Sequence, residues 1–187
     1  MVMLLSGIAI NALAGSIIGF LISVSSDEQM RMFTFWGMGN LESKNWIQVF
    51  ISCVLILCSF FMVLKIKKQL DIFMLGDAEA YQLGLNVESL KKKIIVVASV
   101  MVGISVAFCG MIGFIGLVTP HLIRLLIGPK HNYLIPCSAL LGAILILISE
   151  LIAKKINIPI GVITSAIGAP FFIWLIFSQK GRIGYSE

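Results

Sequence analysis

Charge is scarce in this chain. Asp, Glu, Lys and Arg together make up 12% of its 187 residues, against about 25% in soluble domains, while hydrophobic residues make up 59%. A water-soluble domain needs neither that much apolar surface nor its arrangement in blocks of about twenty residues. A bilayer core about 30 Å thick needs both, because a helix rises about 1.5 Å per residue. Cysteine and histidine are scarce too. Cys53, Cys58, Cys109 and Cys137 lie in or beside apolar blocks without C-x-x-C spacing, so they read as small buried residues. Two histidines and no H-E-x-x-H pattern leave little material for a metal site, and no metal is assigned. There is no Walker A loop and no nucleophile elbow. ATP hydrolysis and nucleophilic catalysis by this chain are therefore not expected, and no catalytic residue or bound cofactor is assigned.

The apolar blocks predict an all-α, polytopic transmembrane bundle of about six spans, near 3–24, 46–64, 94–112, 113–128, 134–152 and 160–177. Ala12-Leu13-Ala14 mimics a signal-peptidase site, but no basic residue precedes the apolar run and the run continues past it, so the first block reads as a span. The fourth block holds Pro120, His121 and Arg124 and follows the third almost without a linker, which predicts a short or broken helix. The net charge of +5 falls almost wholly between blocks, and no basic patch interleaved with aromatics points to nucleic acid. With the first span running outward, Lys65, Lys67, Lys68, Lys91, Lys92, Lys93, Arg124, Lys130, Lys180 and Arg182 lie inside. Only Arg31, Lys44, Lys154 and Lys155 lie outside. That distribution obeys the positive-inside rule and makes 65–93 and the C-terminus cytoplasmic.

Two segments between spans read as ordered. Ser26-Asp27-Glu28-Gln29 has capping-box spacing and is followed by Phe33, Phe35 and Trp36, then Gly39-Asn40, predicting an outer interfacial helix over 26–40. Across 71–92, Gly84 suits the left-handed end of one helix and Asn86 suits the cap of the next, predicting two short cytoplasmic helices joined by a sharp bend. Within the first span, Gly7, Asn11, Gly15 and Gly19 recur every four residues along one face, which serves either close helix packing or a pathway. Gly110, Gly113 and Gly116 mark either close packing or a break around the third and fourth spans. Asp and Glu avoid the middle of every span, and Glu150 stands near a span end, which weakens a proton- or sodium-coupled carrier.

Three blocks in order, GDAEAYQLGLNV at 76–87, GFIGLVTPHLIRLLIGPKH at 113–131 and PIGVITSAIGAPFFIWLI at 159–176, resemble type II ABC importer permeases for cobalamin, ferric siderophores and haem. NALAGSIIGFL at 11–21 and FTFWGMGNL at 33–41 look closest to haem permeases. Members of that family have about ten spans, and this chain matches their C-terminal six. The resemblance implies a single permease domain over 1–187, incomplete at its N-terminus, that is either a fragment or one half of a split permease. It implies a multi-pass protein of the bacterial plasma membrane that forms the translocation pathway of an ATP-driven importer for iron complexes. The implied partners are a second permease copy, ATP-binding cassette subunits that use the ATP, and an extracytoplasmic substrate-binding protein. The family's pathway is lined by its fifth and tenth spans, which places Asn11, Gly15, Thr164 and Ser165 as lining candidates here. The cytoplasmic coupling segment maps to 76–90, with Asp77, Glu79, Gly84 and Leu85 central, although Glu79 and Gly84 do not reproduce the E-A-A-x-x-x-G spacing of other importers. Docking of the binding protein implies Lys154, with Lys155 and Arg31 as further candidates. Competing readings are a proton-coupled carrier that uses His121 and Arg124, and a cobalamin or divalent-metal ABC permease.

Overall fold

The computed structural model describes residues 2–41 and 45–183; Lys44, one of the outer basic positions, lies outside them. All the elements in the described residues are α-helical: α1 Val2–Ser23, α2 Asp27–Gly37, α3 Trp46–Phe73, α4 Asp77–Gln82, α5 Val87–Cys109, α6 Ile115–Ile127, α7 His131–Ile156 and α8 Ile160–Ile183. The all-α architecture is the one the apolar blocks predict. Four helices, α1, α3, α5 and α7, are long and apolar enough to cross a membrane, while α6 and the Ile160–Leu175 stretch of α8 are shorter apolar helices. The thirteen residues of α6 rise only about 20 Å, less than a bilayer core. Its short length follows from the break before it, where Gly110 and Phe114 take positive φ values of 75° and 66°.

The chain groups into two compact units, Met1–Gly37 and Met38–Glu187. In the first, the capping box closes as its spacing requires. The Ser26 backbone N–H donates to Gln29 Oε1 at 3.1 Å, and the Gln29 N–H donates to Ser26 Oγ at 3.4 Å. On α1 the side chains of Leu4, Ile10, Leu13 and Phe20 are each about two-thirds exposed or more, and nothing lies within 4 Å of where a Cβ would stand on Gly7, Gly15 or Gly19.

In the second unit α3 packs on α5 and α7, and α8 packs on α6 and α7. The tightest pairing, α6 on α7, is built from small and polar groups. Gly142 lets Ile115 and Thr119 approach, and the buried Thr119 hydroxyl returns to the Ile115 carbonyl at 2.9 Å. Small residues at such a contact let backbones come close where lipid leaves no hydrophobic drive between helices. His121 stands edge-on to Phe171, 6.2 Å between ring centroids.

Hydrogen bonds tie this unit at two ends. At one, the Asn40 N–H donates to the Cys109 carbonyl and the Gly161 N–H to the Met38 carbonyl, both at 2.9 Å. At the other, Lys67 reaches Asn132 and Asp71 reaches His131. Lys67 and Lys130 thus share an end, as the positive-inside assignment requires. A cysteine placed at Lys68 and another at Lys155, on a background lacking the four native cysteines, are expected to label from opposite faces of sealed membranes. Labelling of both from one face would overturn the assignment.

Candidate functional site

The turn between α3 and α5 is the most completely specified local structure in the chain. Gly76 enters α4 at φ +115°, a conformation that favours glycine; Glu79 Oε2, 2.6 Å from where a Cβ would stand, is the free end of a flexible side chain and can move aside. Six residues later the helix closes in a Schellman motif: the Leu85 N–H donates to the Ala80 carbonyl and the Gly84 N–H to the Tyr81 carbonyl, both at 3.0 Å, with Gly84 at φ +80°. Asn86 then caps α5, its Oδ1 accepting from the Ser89 N–H at 2.9 Å. These are the roles the sequence predicts for Gly84 and Asn86. The segment is not a detached pair of short helices, however. Residues 71–73 belong to α3 and 87–92 to α5, so only α4 is separate, and the bend sits between continuous long helices.

Two ties stiffen this elbow. Lys91 Nζ stands 2.5 Å from Asp77 Oδ2 and 5.5 Å from the centre of the Phe73 ring, which links α3, α4 and α5. Asp77, a candidate for contact with an ATPase, therefore has its carboxylate engaged inside the chain. Ala80 is fully buried, which holds α4 down. What the elbow presents outward is Glu79 and two large side chains, Tyr81 and Leu83, 75% and 62% exposed. Beside them Tyr81, Gly84, Leu85, Asn86, Val87 and Glu88 line an open depression. A firm knuckle with an apolar tip and an acidic flank is suited to seating in a partner's groove rather than to chemistry.

The remaining candidates divide. Asn11 and Gly15 are exposed on one face of α1. Thr164 is fully buried, its hydroxyl turned back to the Gly161 carbonyl at 3.2 Å, so in this conformation it lines no open surface; Ser165 beside it is half-buried. Lys154 and Lys155 occupy the last turn of α7, where cations offset the helix dipole. Lys154 is half-exposed and stands 3.5 Å from Glu150 one turn back. Lys155 and, on α2, Arg31 are exposed. Among the described residues no three of His, Cys, Asp and Glu come together as metal ligands.

Sequence reasoning missed the long-range polar pairs. Asp71 Oδ1 accepts from the His131 backbone N–H at 2.9 Å and lies 2.7 Å from His131 Nδ1, while Lys67 Nζ donates to Asn132 Oδ1 at 2.5 Å. The partners are sixty and sixty-five residues apart in sequence, and no local pattern encodes them.

The sequence profile of the FecCD transport family matches residues 1–178. The hemin transport system permease protein HmuU of Yersinia pestis is 42% identical over 182 residues, covering 95% of this chain and 54% of its own length. The cobalamin import system permease protein BtuC of Halobacterium salinarum is 35% identical, covering 96% of this chain and 49% of its own. The Fe(3+) dicitrate transport system permease protein FecD of Escherichia coli is 36% identical, covering 94% and 56%. The chain thus spans about half the length of the curated relatives it matches. A solved metal-chelate type ABC transporter in an inward-facing conformation superposes with a TM-score of 0.87 at 31% identity, covering 93% of this chain and 58% of that one.

Proposed function

This chain belongs to the FecCD transport family, and on that premise we propose that it forms part of the membrane-spanning permease of an ATP-driven importer for iron complexes, haem or a ferric siderophore, in the bacterial plasma membrane. The observation that carries the reading is the α4 elbow: a six-residue helix fixed at both ends by glycines at positive φ and tied by Lys91 to its neighbours. Such an element transmits a push without bending. ATP binding on a separate ATPase closes that subunit, the seated elbow moves, and the spans rock to open the pathway to the other side. The permease itself makes and breaks no covalent bond. Its partners in this reading are a second permease copy, the ATPase pair and an extracytoplasmic binding protein received near Lys154 and Lys155. Iron-complex cargo is favoured by the 42% identity to a hemin permease and the 36% identity to a ferric dicitrate permease.

The test is uptake into proteoliposomes that hold the chain together with the N-terminal spans of a ten-span permease, the ATPase and the binding protein. Haem or ferric-siderophore uptake is expected to require ATP and to survive collapse of the proton gradient. Uptake that follows the gradient without the ATPase would support a carrier instead, and uptake of cobalamin alone would move the cargo to the BtuC type.

A further inference from the structure

The first residue of α7, His131, follows Pro129 and Lys130, and Lys130 offers no side-chain cap to the helix. A helix start without Ser, Thr, Asp or Asn leaves backbone donors unsatisfied. Asp71 supplies the missing acceptor from the last turn of α3. One carboxylate oxygen serves both the His131 N–H and its ring nitrogen, placing negative charge at the positive end of the α7 dipole. Lys67, one turn back on α3, bonds Asn132 beside it. Two adjacent residues of α7 are therefore held by two positions one turn apart on α3, which fixes orientation as well as distance. Three residues beyond Phe73 the chain turns at Gly76 into α4. At its far end, about 39 Å along its 26 residues, α7 carries Lys154 and Lys155.

We propose that Asp71 and His131 form the joint through which movement of the α4 elbow is passed to α7, and along α7 to the opposite face of the membrane; this rests on the elbow being the ATPase contact. Asp71 and His131 are positioning residues here. α7 packs on α3, α6 and α8, so a displacement at its start carries both shorter helices with it. Without the joint, α3 and α4 move against α7 and the stroke is dissipated at that end.

The assembled transporter distinguishes this from a purely structural cap through transport per ATP hydrolysed, a ratio insensitive to the amount of folded protein. Asp71→Ala and His131→Ala are each expected to keep the ATPase bound and hydrolysing while lowering that ratio about fivefold or more. The double variant should be no worse than the more impaired single one, because both remove one link. Asp71→Asn, which keeps an acceptor for the His131 N–H, should fall between. Should Asp71→Ala fail to assemble, His131→Ala, which leaves the backbone cap intact, is judged against the same fivefold threshold. An unchanged ratio, or additive losses in the double variant, would each overturn the joint. Failure of the elbow as the ATPase contact would show separately, as an ATPase that stays bound when Gly84 is replaced by valine.

Discussion

Gly84→Val is expected to release the ATPase from the assembled transporter while leaving the chain inserted in the membrane. Gly84 stands at φ +80° and nothing lies within 4 Å of where its Cβ would be, so the cost is in the backbone and not in a clash. A β-branched residue resists positive φ, at a cost of about 1–3 kcal/mol. That penalty lowers the population of the native turn by roughly 5- to 150-fold. α4 is only six residues long and has no propensity of its own to fall back on. Relaxing Gly84 to negative φ breaks the bonds from Leu85 to Ala80 and from Gly84 to Tyr81, which swings Tyr81 and Leu83 away from their present positions. Asparagine visits the left-handed region readily, so Gly84→Asn should retain the ATPase. Co-purification of the ATPase with each variant is the measurement. Equal recovery with valine and with asparagine would remove the elbow from the docking surface.

The second large effect concerns two glycines of α8, seven residues apart and so on one face of the helix. A Cβ on Gly161 would overlap the carbonyl of Met38, the same oxygen that accepts the Gly161 N–H. A Cβ on Gly168 would overlap the side chain of Phe114 next to its backbone. Neither neighbour is the free end of a flexible side chain. Phe114 already sits at φ +66°, in the turn that interrupts the chain between α5 and α6. Inserting even a methyl group at either glycine therefore moves backbone, at about 1–3 kcal/mol per site. Gly161→Ala and Gly168→Ala should each lower the melting temperature of the detergent-purified protein by roughly 2–12 °C. Gly142 provides the comparison: a Cβ there meets Ile115 and Thr119 at 3.7–3.8 Å, ordinary contact, and Gly142→Ala should melt like the unaltered protein. If all three alanine variants melt together, the close approach of α8 to Met38 and Phe114 is not present in solution.

What the sequence determined by itself is whatever is decided within one or two helical turns. The Ser26–Gln29 capping box, the left-handed Gly84 and the Asn86 cap all follow from chemistry among residues three to five positions apart, and the apolar blocks from composition along each helix. Tertiary structure alone decided three other things. It joined Asp71 to His131 and Asp77 to Lys91, because a polar pair far apart in sequence depends on which helices become neighbours. It lengthened α3 and α5 beyond their apolar stretches, to Phe73 and from Val87, so that the expected pair of cytoplasmic helices reduced to one. It also buried Thr164 while leaving Phe50 and Phe61 of α3 exposed. Hydropathy could not separate those last two outcomes. Lipid tails are as apolar as a protein interior, so in a membrane chain the faces that touch lipid and the faces that touch other helices carry the same composition.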